Sequence, residues 1–289
     1  MAEPEPSAPE PKLKIYFLPN LFTAANLFCG FVALTKIVQA NLTPDAAGVV
    51  NYGPIERALL FILLACIFDL FDGRVARIAG VESPFGREFD SLADLVSFGV
   101  APAFLVHRVV LREVFEKIPE VGWFIASVYL LAGAFRLARF NCLATMAGTG
   151  GGKEFLGFPI PAAAGLVASL TMVLIYLDSM GYATNRWKYG LPVLLLFLSA
   201  MMVSTVKYPT FKKFDLRATS TFWRTMIAAL LVGLVVVLRE RVLYIVMPIL
   251  FTAYLVYGFI RPRISRKLQR EIEEDEDAED DESPPTDRR

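Results

Sequence analysis

Apolar stretches of bilayer length set the first limit on what this chain can become. Runs rich in Leu, Val, Ile, Phe and Ala recur near 18–38, 57–79, 92–110, 122–140, 159–178, 190–206, 223–238 and 242–260. About twenty helical residues are what a hydrocarbon core of about 30 Å requires, and in lipid a backbone must satisfy its own hydrogen bonds. The expected fold is therefore all-α, a polytopic membrane bundle of about eight spans, six of them the least that the pattern allows. A mean hydropathy of +0.49 places the chain well outside ordinary soluble domains.

Charge divides the chain into three parts. Residues 1–12, MAEPEPSAPEPK, are acidic and Pro-rich and lack the pattern of a signal peptide, so they read as a disordered leader. Residues 13–261 hold the spans, opened by a short interfacial helix around Lys12–Phe17, and residues 262–289 form a basic, then acidic, disordered tail. Lys and Arg concentrate in alternate loops, as in KYPTFKKFDLR and RPRISRKLQR, which places both termini in the cytoplasm. One outer segment, HRVVLREVFEKIPE, dissents, although its glutamates lie among its basic residues. Cys29, Cys66 and Cys142 are too far apart for a zinc or disulfide framework and read as small hydrophobes. No nucleic-acid partner is expected, and the bilayer is the obvious one.

Against this background the stretch DLFDGRVARIAGVESPFGREFDSLAD, residues 69–94, is anomalous. A charge within a membrane segment costs a few kcal/mol, so intramembrane aspartates mark a functional site. Asp69 and Asp72 are three apart at the end of one helix, and Asp90 and Asp94 four apart at the start of the next, so each pair shares a face. A short turn around Glu82–Gly86 would bring the pairs together, and converging carboxylates repel unless hard divalent cations, Mg²⁺ or Mn²⁺, lie between them. Gly73 and Gly86 leave room for a ligand, Ala76 keeps the groove open, and Arg77 offers a planar fork to phosphate.

The pattern Asp69-x2-Asp72-Gly73-x2-Ala76-Arg77-x8-Gly86-x3-Asp90-x3-Asp94 resembles the signature of the CDP-alcohol phosphatidyltransferase family at every fixed position. The resemblance implies that Asp69, Asp72, Asp90 and Asp94 hold one or two divalent ions, with Asp94 also the base for an incoming hydroxyl. Gly73, Ala76, Arg77 and Gly86 would line the CDP moiety, joined by Asn20, Thr23 and Asn26 from the first span. For these three, plain helix-to-helix hydrogen bonding is the competing account.

LPNLFTAANLFCG, FRLARFN, GFPIPAAA and MVSTVKYPTFK further resemble the branch of the family that uses serine as acceptor. The implied reaction transfers phosphatidyl from CDP-diacylglycerol to the hydroxyl of L-serine and releases CMP. Arg136, Arg139 and Asn141 would bind the serine carboxylate or a phosphate, against positive-inside anchoring as the plainer alternative. Lys207 and Lys212 read first as interfacial anchors. The single histidine, His107, lies far from the aspartates and cannot supply a phosphohistidine route, so attack is expected to be direct. Relatives resembling this chain are homodimers of the bacterial inner membrane, with the site facing the cytoplasm. Other acceptors, glycerol 3-phosphate or inositol phosphate, and a divalent-cation transporter are the competing functions.

Overall fold

Ser83 and Pro84 fix the turn on which the rest of the architecture depends. The Ser83 side chain accepts from the Gly86 amide at 3.0 Å and Pro84 occupies the first helical turn, so a helix starts there. The computed structural model describes residues 17–46, 50–79, 83–146, 154–182, 188–209 and 245–257. The leader, the interfacial helix before Phe17, the expected span at 223–238 and the acidic tail lie outside them.

The helices are α1 (Phe17–Gln39), α2 (Gly53–Ala79), α3 (Pro84–Val114), α4 (Pro119–Met146), α5 (Ile160–Ser179), α6 (Gly190–Val203) and α7 (Ile245–Tyr257). Of these, α1 from Asn20, α3, α4 from Pro119 and α5 are long and apolar enough to cross a membrane. The helix α2 has the length, and its charges cluster toward its C-terminal half, while α6 and α7 are shorter apolar helices. The chain is thus an integral membrane bundle, as its runs of apolar residues predict. Two small departures occur. Glu154–Leu156 pairs antiparallel with Lys207–Pro209 in a two-stranded ribbon. Gly157, at φ +82°, turns out of that ribbon and donates its amide to Val206 O at 2.8 Å. The helix α3 starts earlier than its apolar run, so Gly86 lies in its first turn and not in the connecting turn.

The core is continuous from Cys29, Ala33 and Ile37 of α1 through Ile55, Leu59 and Ile62 of α2 to Phe98, Tyr129, Ile160, Val167 and Leu195. Small residues let the backbones approach, as usual where lipid removes the hydrophobic drive between helices. A Cβ on Gly30 would lie 2.3 Å from Ser97 Oγ and 2.8 Å from its Cα. Ser97 belongs to a π-helical turn, Leu95–Val100, that follows Asp94 directly. Such turns leave carbonyls for other donors, and here Phe98 O accepts from the Tyr129 hydroxyl at 3.1 Å.

The end of the bundle away from the aspartates is tied by polar pairs. Tyr52 donates to Asp178 at 2.9 Å, Lys188 to Glu113 at 2.8 Å, and Arg108 to Ala40 O at 3.0 Å. Burial and the Asp178 carboxylate hold the Tyr52 phenol protonated, its pKa raised above the ordinary range. Asp178, which in sequence reads as an ordinary loop residue, is therefore an acceptor in the last turn of α5.

Candidate active site

Two helices deliver the acidic residues to one place. Asp69 and Asp72 come from the C-terminal half of α2 and Asp90 from the second turn of α3, with one carboxylate oxygen of each within 4.8 Å of the others. Asp72 is buried, and Asp69 and Asp90 are half-buried. An oxygen of Asp90, Oδ1, is buried without a hydrogen-bond donor. Three carboxylates this close, with an oxygen left unsatisfied, form a donor set that suits a hard divalent cation. Asp94, one turn beyond Asp90, is 6% exposed and stands outside this triplet.

The first helix supports the carboxylates directly. Thr23 Oγ1 donates to Asp72 Oδ2 at 3.1 Å, and Asn26 Nδ2 donates to Asp94 Oδ1 at 3.1 Å. Both side chains are buried. Ser97 Oγ donates to Asn26 O at 2.9 Å, so the π-helical turn and α1 are joined beside Asp94. Asn20 stands apart from this pair, near the start of α3, where a Cβ on Gly86 would come 3.4 Å from Asn20 Oδ1. Asn20 and Gly86 are neighbours, whereas Thr23 and Asn26 face the aspartates. Gly73 follows Asp72 on α2. Ala76 and Arg77 lie near the C-terminal end of α2, where only the backbone is described.

The FRLARFN segment of α4 sends its polar residues in three directions. Arg136 is 8% exposed, interacts electrostatically with Asp94 and Asp69, and keeps its Nε buried without an acceptor. Arg139 instead donates to the carbonyls of Val203 at 2.8 Å, Ser204 at 3.1 Å and Met202 at 3.4 Å, which caps the C-terminal end of α6. Asn141 donates to Glu88 Oε2 and to Ser91 Oγ, both at 3.0 Å, and so ties α4 to α3. The bond to Ser91, inside the aspartate motif, carries no sequence signal because Asn141 and Ser91 are fifty residues apart. His107 stacks on Phe104, and thirteen residues of helix separate it from Asp94, about 20 Å.

A helical membrane bundle with clustered carboxylates and a buried arginine near them has the groups that phosphoryl transfer at a membrane uses. Residues 16–206 match the family model for CDP-alcohol phosphatidyltransferase, and the chain belongs to that family. The family is metal-dependent, in keeping with the carboxylate cluster. Membership sets aside the transporter reading.

Relatives narrow the comparison. A CDP-diacylglycerol–serine O-phosphatidyltransferase of Helicobacter pylori is 32% identical over 249 residues, covering 86% of this chain and 91% of its own. The protein of the same name from Bacillus subtilis is 34% identical over 201 residues, 68% of this chain and 92% of its own. An archaetidylserine synthase of Methanothermobacter thermautotrophicus is 31% identical over 194 residues, 66% of this chain and 69% of its own.

Proposed function

We propose that the chain makes phosphatidylserine, transferring the phosphatidyl group of CDP-diacylglycerol to the hydroxyl of L-serine. The observation that carries this is the Asp69, Asp72 and Asp90 cluster with Asp94 and Arg136 beside it. In this reading the three clustered aspartates, with Asp94 at the edge, hold Mg²⁺ or Mn²⁺. An ion held there would offset charge on the pyrophosphate and polarise the phosphorus under attack.

The chain's own groups do the rest. Asp94, fixed by the Asn26 amide, takes the proton of the serine hydroxyl. The serine oxygen bonds to the phosphorus nearest diacylglycerol, the bond from that phosphorus to the bridging oxygen breaks, and CMP leaves with its electron pair. Arg136, buried and with a free Nε–H, receives the serine carboxylate. Gly73, Ala76, Arg77, Gly86 and Asn20 line the CDP side. Thr23 and Asn26 act through the aspartates they hold, Arg139 through α6, and Asn141 through α3. The catalytic unit spans residues 13–261, works as a homodimer in a bacterial inner membrane, and opens to the cytoplasm, an orientation supported by the positive-inside loops.

The test is CMP release by the purified protein in detergent with CDP-diacylglycerol and Mn²⁺ or Mg²⁺, comparing L-serine with glycerol 3-phosphate and inositol phosphate. Release that depends on serine and metal supports the reading, and release with another acceptor overturns the choice of serine. A phosphatidyl-enzyme captured with CDP-diacylglycerol alone would overturn direct attack.

A further inference from the structure

Among the described residues four side-chain atoms are buried without a hydrogen-bond partner: Asn26 Oδ1, Arg87 Nε, Asp90 Oδ1 and Arg136 Nε. A buried polar group left unpaired is costly, the more so when charged, so each one in a native structure calls for a use. Asn26, Asp90 and Arg136 already belong to the site. Arg87 has no role there yet, although it lies inside the aspartate motif, directly after Gly86.

The phase of α3 turns Arg87 toward the others. At about 100° per residue, Arg87 lies about 60° around the helix from Asp90 and about 20° from Asp94, one and two turns before them. That face is the inner one, since Asp90 meets Asp69 and Asp72 of α2, and Asp94 meets Asn26 of α1. On its flanks Gly86 comes against Asn20 of α1, and Glu88 and Ser91 bond Asn141 of α4. Phe85 and Leu92, 37% and 63% exposed, take the opposite face. Arg87 itself is half-buried. Residues three apart on a helix commonly pair when their charges are opposite, yet Arg87 Nε has no acceptor and Asp90 Oδ1 no donor. A cationic donor and an anionic acceptor left unjoined on one face suit a ligand that offers an anion to the first and a cation to the second. A phosphate carrying a divalent ion is such a ligand.

We infer that Arg87 is a phosphate-binding residue, donating through Nε to an oxygen of the pyrophosphate of the CDP-linked substrate. The inference rests on the reading that CDP-diacylglycerol is the donor. Asp90 is about 4.5 Å further along the axis of α3, so a group with two phosphates can meet the carboxylate site with one and Arg87 with the other. Nε and one Nη form an edge of the guanidinium fork, the shape that takes two oxygens of a phosphate. The phosphate of an anionic bilayer lipid offers the same oxygens. A buried Nε favours the substrate, because a headgroup at the membrane surface would engage an exposed fork.

The experiment uses the full chain in nonionic detergent and a water-soluble probe, CDP itself, which carries the pyrophosphate without acyl chains. CDP binding in the presence of Mn²⁺ is followed by titration calorimetry for the wild-type chain, Arg87→Gln and Arg87→Lys, beside the KM values for CDP-diacylglycerol and L-serine. Arg87→Gln is expected to weaken CDP binding and to raise the KM for CDP-diacylglycerol, each about tenfold, the effect of losing a hydrogen bond between charged groups. Arg87→Lys keeps the charge without Nε and the fork, and should recover only part of the loss. The KM for L-serine should hold. Mn²⁺ binding without CDP should not weaken, because the substitution removes a cation from beside the aspartates.

Unchanged CDP binding in both variants overturns the inference, and a KM raised only when phosphatidylglycerol is added to the micelles would assign Arg87 to a headgroup instead. If Mn²⁺ binding falls in step with CDP binding, Arg87 acts through the aspartates and the inference fails as well. A wild-type chain that neither binds CDP nor releases CMP from CDP-diacylglycerol would overturn the donor reading, and the inference with it.

Discussion

Asp94 and its donor Asn26 are where single side chains matter most. Asp94 is held by Asn26 outside the triplet formed by Asp69, Asp72 and Asp90, which suits a group that must reach an incoming hydroxyl. Replacing it by Asn keeps the shape and removes the proton acceptor. Asp94→Asn should lower kcat for CMP release by about 10²–10⁴-fold, the range for a positioned general base. Mn²⁺ binding, followed by loss of the free-ion EPR signal, should weaken far less. Thr23 and Asn26 act through the carboxylates they hold. The sequence suggests two accounts, contact with CDP or a tie between helices, and the structure has them donating to Asp72 and Asp94. Partners that orient metal ligands are worth about 10–100-fold in affinity. Thr23→Val should therefore weaken Mn²⁺ binding by that order, whereas Asn26→Ala, which releases Asp94, should lower kcat with Mn²⁺ binding weakened far less, and the KM for CDP-diacylglycerol should change little in both. A raised KM with unchanged Mn²⁺ binding would return them to the nucleotide.

Among the elements, α3 is the one whose placement decides the site, because it bears both Asp90 and Asp94. Its pairing with α2 was legible, since spacing alone puts two carboxylates on each facing surface, but its start at Ser83-Pro84 was not, because the apolar run begins later and Glu82–Gly86 reads as the connecting turn. What holds it against α4 was not legible. Asn141, Glu88 and Ser91 meet only after α4 has been laid across α3, and no local periodicity encodes such a contact. Their chemistry gives an ordering of variants. Asn141→Ala removes the hydrogen bonds to Glu88 and Ser91, whereas Asn141→Asp puts a second carboxylate against Glu88, an arrangement that repels. Mn²⁺ binding and activity should fall further in Asn141→Asp than in Asn141→Ala, and Glu88→Gln should restore much of the Asp variant by removing the like charge. Equal losses in the Ala and Asp variants, with no recovery by Glu88→Gln, would mean that Asn141 does not clamp α3.

At the scale of the whole molecule the bundle separates chemistry from anchoring. The aspartates occupy one end, and at the other the start of α2, the ends of α3 and α5 and the start of α6 are joined by Tyr52–Asp178 and Lys188–Glu113. About 25 Å of α2 lies between Gly53 and Asp69. The apolar runs foretold the helices, but these pairs depend on how loops register across the bundle, which hydropathy does not record. Tyr52 and Asp178 are 126 residues apart and half-buried, so their bond resists solvent better than the exposed Lys188–Glu113 pair. Tyr52→Phe deletes the hydroxyl and leaves Asp178 without that donor, at a cost of about 1–3 kcal/mol. The melting temperature in detergent should drop. The KM values for serine and CDP-diacylglycerol should hold, because nothing at the aspartate end has lost a partner. Lys188→Met should lower the melting temperature by less, since screened surface pairs contribute about 0–1 kcal/mol. A Tyr52→Phe protein with unchanged melting temperature and altered serine KM would show instead that the two ends are coupled through α2, and that stability and acceptor recognition share one element.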